Sequence, residues 1–220
     1  MAKLISINMN KYFSNYVTTP LREKEDIIVL LLQTMKMFLV GDISGETDTG
    51  RVILRIDKMS RLFFETENKC FSINFPFNLD LIEIEQGVHD IRFYDFVTGI
   101  EFDQQILSVL LGLFAQNVTH IDNLDEFHYV FLTSDDEIGD IHELSKMWNL
   151  FKRLLLFEPG YLRYDYDPIH QNRHLHPLHH LDLYFSPSNT FKVGLHDRIV
   201  IHELIDILDI QTQCHYIKRV

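Results

Sequence analysis

A cluster of histidines in the last third of the chain is the first feature that could do chemistry. Five of the 12 histidines lie between residues 165 and 185, in the stretch DYDPIHQNRHLHPLHHLDLYF. Imidazole titrates near neutral pH, so this density is typical of proton transfer, metal binding or a pH-dependent contact. The cluster is therefore the candidate functional site, and its chemistry depends on the strands and loops that carry it.

The second half of this stretch predicts a β-strand over residues 178–185. In an extended chain, alternation places His180, Asp182 and Tyr184 on one face and an apolar set on the other. The apolar face is expected to pack on the core. The face with His180 is therefore predicted to be accessible, with His174 and His176 approaching it from the preceding loop.

A first hypothesis is that paired imidazoles cleave RNA without a metal. One histidine would deprotonate the 2′-hydroxyl, another would protonate the leaving oxygen, and a cation would neutralise the phosphate. His176 and His180 are the predicted acid and base, with Asp182 orienting an imidazole. The full catalytic set is His174, His176, His180, Asp182 and Arg198, and the predicted substrate contacts are Arg163, Tyr164, Arg173, Tyr184 and Lys192.

The tyrosines that precede the histidines have two interpretations. Tyr164, next to Arg163, could stack on an unpaired RNA base. The same alternating pattern also predicts a half-buried strand. The sequence leaves both interpretations open.

A second hypothesis assigns the same residues to a divalent metal ion. Nitrogen and oxygen donors from His174, His176, His180 and Asp182 suit Zn²⁺ or Mn²⁺. Such an ion would support hydrolysis or hold the loop against the strand. The sequence predicts no other cofactor.

A third hypothesis is structural, and it rests on the distribution of charge. Residues 1–150 carry 12 basic and 24 acidic side chains and so account for the whole net charge of −12, whereas residues 151–220 carry 8 of each. An acidic surface repels nucleic acid and attracts basic proteins. Under this hypothesis the histidines bond to backbone carbonyls, and the protein is a regulatory or interaction subunit.

Composition and segment lengths indicate a globular protein that stays out of the membrane. Hydrophobic residues make up 46% and charged residues 24% of the 220 positions, as in ordinary globular chains. The N-terminus lacks the pattern of a signal peptide, and no apolar run reaches the ~18 residues of a membrane span. A cytoplasmic location is expected.

The periodicity predicts an α+β fold with a mostly antiparallel sheet and buried helices. Short β-branched and aromatic runs alternate with turns between residues 51 and 99. The predicted helices cover residues 20–40, 103–115, 140–155 and 198–208, and further strands are predicted at 128–133, 178–185 and 190–196. The C-terminal part is therefore predicted to form a His-rich strand-turn-strand-helix unit.

Domain boundaries are not marked by any linker rich in Pro, Gly or Ser. The chain is therefore predicted to form a single α+β domain over residues 1–220. The alternative is two lobes, an acidic body over 1–157 and a His-rich unit over 158–220.

The stretch HPLHHLDLYF, with the strand and helix IVIHELIDIL that follow, resembles a family of uncharacterised bacterial proteins. That family has a HisPro-x-x-His-Leu-His pattern, an Arg-bearing turn and a closing helix. His176, Pro177, His180 and Arg198 match by position, and Asp182 replaces a second histidine. The resemblance spans about residues 160–210 and implies a toxin–antitoxin, mobile-element or phage-defence context with a protein partner encoded nearby. The combined prediction is a defence or toxin-type ribonuclease.

Overall fold

A computed structural model describes residues 3–41, 50–85, 88–115, 141–183 and 191–216. The strands in these ranges are β1 (Lys3–Asn8), β2 (Arg51–Ile56), β3 (Ser60–Glu65), β4 (Lys69–Asn74), β5 (Asn78–Glu85), β6 (Val88–Asp95), β7 (Ile100–Phe102), β8 (Leu162–Tyr166), β9 (His179–Asp182) and β10 (Lys192–Leu195). The helices are α1 (Lys11–Thr18), α2 (Lys24–Val40), α3 (Gln104–Ala115), α4 (Ile141–Leu156) and α5 (Ile201–Leu208). The predicted α+β class is confirmed.

The chain divides into two compact units, and neither is a continuous stretch of sequence. Unit 1 comprises segments 1–23, 43–75 and 159–220, and unit 2 comprises segments 24–42 and 76–158. This division differs from lobes of 1–157 and 158–220. The His-rich segment belongs to the same unit as residues 43–75, because its strand β8 pairs with β4.

Unit 1 is built on a seven-stranded sheet in the order β1-β2-β3-β4-β8-β9-β10. Its strand pairings are antiparallel, and β8 joins the two halves by pairing with β4 on one side and β9 on the other. Helix α1 starts after Asn10, whose side chain accepts a hydrogen bond from the Phe13 backbone at 2.7 Å. This cap satisfies one of the free amide groups of the first turn.

Side chains cover both faces of this sheet. One face carries the core that packs against α5, with the buried members Ile53, Met59, Phe63, Cys70, Leu162, Tyr164, Leu181, Ile201 and Leu204. On the other face Phe64 stacks on Phe71 at 4.6 Å between ring centroids, and Phe13 of α1 stacks on Phe64 at 6.5 Å. The histidine site lies on this second face.

Unit 2 contains the three-stranded antiparallel sheet β5-β6-β7 and helices α2, α3 and α4. Helix α2 buries residues on most of its sides, as its apolar sequence predicts. Phe38 of α2 packs edge-on against Phe93 of β6, and Phe114 of α3 stacks on Phe151 of α4. No helix in the described ranges is long and apolar enough to cross a membrane.

Two predicted helices differ in detail from the structure. Helix α3 was expected to be buried all round, but only Leu107, Leu110 and Phe114 are fully buried, so a single stripe faces the core. Helix α5 begins at Ile201 instead of Arg198, because the Glu203 carboxylate accepts the Val200 amide hydrogen at 2.8 Å and fixes the first turn there. The predicted strand at 128–133 lies outside the described residues.

Candidate functional site

The register of three strands brings the site together. Asp165 of β8 lies opposite His180 of β9, and Arg163 of β8 lies opposite Asp182. Lys192 of β10 pairs with Asp182 from the other side. Directly opposed residues point to the same face, and so do residues two apart on one strand. All five side chains therefore share the sheet face opposite α5.

Asp182 is the centre of this cluster and is 0% exposed. It accepts a short hydrogen bond from Arg163 Nη2 on one oxygen and one from Lys192 Nζ at 2.8 Å on the other. A carboxylate removed from water needs this kind of charged and hydrogen-bonded compensation. The accessibility predicted for Asp182 from strand alternation is therefore wrong.

His180 is also buried, at 1% exposure. Its Nδ1 lies 2.8 Å from the Pro177 carbonyl oxygen, which can only accept, so Nδ1 carries the proton and Nε2 presents a lone pair. The Lys192 ammonium lies 3.0 Å from that Nε2. Burial lowers the pKa of His180, and the positive charge of Lys192 lowers it further. The Pro177 hydrogen bond raises this pKa but does not offset the other two effects. His180 is thus a neutral, fully bonded imidazole and does not face solvent as predicted.

The alternation argument failed because both faces of β9 are covered. Leu181 packs in the core under α5, whereas the loop over residues 167–178 covers His180. Alternation identifies the buried face only when the other face meets water. Leu183 lies on the apolar face that alternation predicts to pack on the core, yet it is 47% exposed just after the strand ends.

Arg163 and Lys69 extend the cluster towards β4. Arg163 Nε lies 2.7 Å from Asp165 Oδ2, and Arg163 Nη1 donates to the Tyr161 hydroxyl at 3.2 Å. Lys69 donates to the Val17 carbonyl of α1 at 2.9 Å, and burial, with the charge of Arg163, lowers its pKa to about 8. Arg163 is therefore engaged by Asp165, Asp182 and Tyr161, and the substrate contact predicted for it stays a prediction.

The accessible part of the site is a pair of histidines around Asp167. His176 packs edge-on against His180 at 4.7 Å between ring centroids, and its Nε2 lies 3.1 Å from Asp167 Oδ2. His170 Nδ1 lies 3.0 Å from the same oxygen. Desolvation works against ionisation of Asp167, yet the hydrogen bonds from His170 and the charges of both histidines outweigh it and lower its pKa to about 2. The side chains of His170 and His176 are 71% and 28% exposed.

The remaining predicted residues fall outside this cluster. His174 and Arg173 are exposed on the loop, where Asn172 Oδ1 accepts the His174 amide hydrogen. Tyr164 is 2% exposed and bonds to His179 Nδ1 at 2.8 Å, so the buried-strand interpretation is correct and base stacking is wrong. Arg198 donates to the Glu67 carbonyl beside α5, on the opposite side of the sheet. Tyr184 lies outside the described residues.

Sequence reasoning missed three contributors, Asp165, Asp167 and His170, as parts of the site. A signal for the two carboxylates was present in DYDP, where they stand two apart like His180 and Asp182. Spacing of two puts side chains on one side of an extended chain. The missing information was the β8–β9 pairing, which no local pattern supplies.

Among the described residues, the group that could hold a metal ion is Asp165, His180 and Asp182, whose donor atoms all lie within 4.8 Å of one another. Only His180 and Asp182 belong to the predicted metal set. His174 is absent from this group, and His176 faces Asp167 instead.

The chain matches no protein-family model, no curated protein and no solved structure. The resemblance to an uncharacterised bacterial family therefore stays a prediction. The function has to be argued from the geometry alone.

Proposed function

We propose that the protein is a ribonuclease that cleaves RNA by general acid–base catalysis, with His170 and His176 as the catalytic pair. The observation that carries this proposal is the arrangement of two imidazoles on either side of one carboxylate, with ring centroids 6.2 Å apart. Each ring places one nitrogen beside Asp167 and keeps its second nitrogen for the substrate. In this proposal His170 takes the acid–base role that the sequence predicted for His180.

The reaction needs one base and one acid on opposite sides of a phosphorus atom. One imidazole takes the proton of the ribose 2′-hydroxyl, whose oxygen then attacks phosphorus. The other, as imidazolium, gives its proton to the departing 5′-oxygen, leaving a cyclic phosphate. The Asp167 carboxylate lies within 3.1 Å of one nitrogen of each ring and holds both imidazoles in place.

His180 and Asp182 have a positioning role in this mechanism. The His180 ring supports the His176 ring edge-on, and the Lys192–Asp182–Arg163 ion pairs hold His180. Arg173, exposed on the same loop, is the cation that would meet the phosphate. This retains the predicted contribution of Arg173 and reassigns Lys192 from the substrate to the support.

The test is cleavage of a fluorogenic RNA oligonucleotide by the purified full-length protein in EDTA. We expect His170→Ala and His176→Ala to lower kcat/KM by about a hundredfold or more, the usual contribution of a general acid or base. His196→Ala is the matched control, because His196 is exposed in the same unit and lies outside the loop. It should keep the wild-type rate.

A substrate with 2′-deoxyribose at the cleaved position provides the second arm. It has no 2′-hydroxyl, so the proposed mechanism predicts that it stays intact. Equal cleavage of the deoxy substrate, or an equal loss of activity in His170→Ala and His196→Ala, would contradict the proposal.

A second candidate function is that of a non-enzymatic interaction subunit. It is supported by the complete burial and pairing of Asp182 and His180, which is the arrangement of a structural ion-pair network. This function predicts that the wild-type protein leaves RNA intact in EDTA and with added Mn²⁺, while Asp182 variants are still destabilised. The two activity assays therefore separate it from the ribonuclease.

A further inference from the structure

The buried face of β8, β9 and β10 presents three potential metal-donor atoms close together. His180 Nε2 lies 3.7 Å from Asp165 Oδ2 and 3.9 Å from Asp182 Oδ1. Two ligands of a tetrahedral ion, each ~2.1 Å from the metal, are separated by about 3.4 Å. The two separations from His180 exceed this by a few tenths of an ångström, and all three donor atoms lie within 4.8 Å of one another, so side-chain shifts without a change of backbone would close the set.

Two of the donors, on His180 and Asp182, are already oriented as metal ligands would be. The Pro177 carbonyl accepts the Nδ1 hydrogen of His180 and thereby directs the Nε2 lone pair into the cluster. This pairing is the usual outer-shell contact of a metal-binding histidine. Arg163 contacts both carboxylates: its Nη2 binds Asp182 Oδ2 and leaves Oδ1 for the cation, whereas its Nε contacts Asp165 Oδ2, the oxygen that also faces His180.

Lys192 supplies the cation that contacts two of these donors. Its ammonium lies 3.0 Å from His180 Nε2 and 2.8 Å from Asp182 Oδ1. Lys192 lies on β10, at the end of the strand order of the sheet, and its side chain is 21% exposed. The ammonium can therefore move into solvent without opening the core.

We infer that Asp165, His180 and Asp182 bind a divalent transition-metal ion, Mn²⁺ or Zn²⁺, in exchange for the Lys192 ammonium. One imidazole with two carboxylates suits these borderline ions. Arg163 and Lys192 balance the charge of the two carboxylates in the described arrangement. Exchange of the ammonium for a doubly charged ion leaves one excess positive charge, which an anionic ligand such as phosphate would balance.

This inference does not depend on RNA cleavage, because its readout is metal content. The full-length protein is dialysed with MnCl₂ or ZnCl₂ alone and assayed by elemental analysis and calorimetry. We expect one ion per wild-type chain. Lys192→Met should bind at least about tenfold more tightly, since it lacks the positive charge that opposes the ion at ~4 Å.

Two carboxylate variants locate the ion. Asp165→Asn removes a donor and should weaken binding by more than about a hundredfold, beyond the usual effect of losing an outer-shell partner. Asp167→Asn is the matched control, a carboxylate two residues away that holds the exposed histidines, and it should bind as the wild type does. Circular dichroism checks that both variants are folded.

The absence of bound metal in the wild-type protein would overturn the inference, even if Lys192→Met binds an ion, because Lys192 would then be the native cation. Binding that survives Asp165→Asn and is lost in Asp167→Asn would also overturn it, because the ion would then sit on the exposed histidines. In either case the ribonuclease assay in EDTA still tests the proposed RNA cleavage, because that mechanism needs no metal.

Discussion

The Asp182 carboxylate has no contact with solvent and is bonded to Arg163 and Lys192. Removing its charge leaves two cations facing a buried neutral group. We predict that Asp182→Asn lowers the free energy of unfolding by about 3–5 kcal/mol, as the loss of one partner from a buried ion pair does. Urea denaturation followed by circular dichroism measures the change.

The matched control for Asp182→Asn is Asp197→Asn. Asp197 is an exposed carboxylate in the same unit. Its substitution should change the free energy of unfolding by less than about 0.5 kcal/mol. A loss below about 1 kcal/mol in Asp182→Asn would mean that water enters the cluster and that the ion pairs are not the support we describe.

The neutral state of His180 makes stability depend on pH. Burial holds its folded pKa below the value of about 6.5 in the unfolded chain. As pH falls through this value the unfolded state binds the proton first, so the stabilisation present above it is lost on acidification. We predict that the unfolding free energy of the wild type falls more between about pH 8 and pH 5.5 than that of His180→Gln.

Urea titrations at the two pH values measure this difference. His196→Gln, a substitution at an exposed histidine, should retain the wild-type decrease. If His180→Gln also retains it, the pH dependence arises from other groups, and burial with the charge of Lys192 does not keep His180 neutral.

At the scale of elements, Gly194 on β10 sets the distance between the edge of the sheet and the loop over residues 167–178. A Cβ at this position would lie 2.9 Å from Pro177 Cγ, too close for an unstrained contact. Pro177 in turn provides the carbonyl that orients His180. We predict that Gly194→Ala displaces the loop and costs about 1–3 kcal/mol of stability, as overpacking does.

Gly112→Ala in α3 is the matched control, because nothing lies within 4 Å of its added Cβ. Alanine in an open helical position should stabilise by about 0.5–1 kcal/mol. Opposite signs in urea denaturation support the role of Gly194 as a spacer. A neutral or stabilising Gly194→Ala would show that Pro177 yields without cost.

Elements with a strong local pattern were predictable, whereas elements defined by pairing were not. The hairpin of β3 and β4 and helices α2 and α4 follow from alternation and from helical periodicity. Strand β1 has no turn signal and forms through its pairing with β2. The same limit applies to the site. The sequence indicated that His176, His180 and Asp182 converge. It could not show that His180 and Asp182 would be buried beside Lys192 and Arg163.

At the scale of the whole molecule, the strand order determines which segments fold together, and the change of composition near residue 157 does not. The acidic and His-rich parts differ in charge, which suggested a boundary between lobes. The strand order instead places β8, β9 and β10 beside β4 of the earlier segment. Charge reports on the surface, whereas pairing and burial decide which segments fold together.

A fragment of residues 159–220 should therefore fail to fold alone. It carries β8, β9, β10 and α5 but lacks β4, the partner of β8, so one edge of its sheet would be unpaired. It also lacks the buried side chains of Ile53, Phe63 and Cys70, against which α5 packs. We predict a poorly dispersed ¹H–¹⁵N spectrum for the fragment, in contrast to the full chain.

Co-expression with residues 1–158 is the complementary arm, because it returns the missing strands as a separate chain. The two fragments should then purify together and recover the dispersed spectrum. A dispersed spectrum and a cooperative thermal transition for 159–220 by itself would contradict the prediction. The exposed edge of β8 and the residues beneath α5 would then be dispensable, and the histidine site would belong to an autonomous domain whose ion-pair network needs no support from β4.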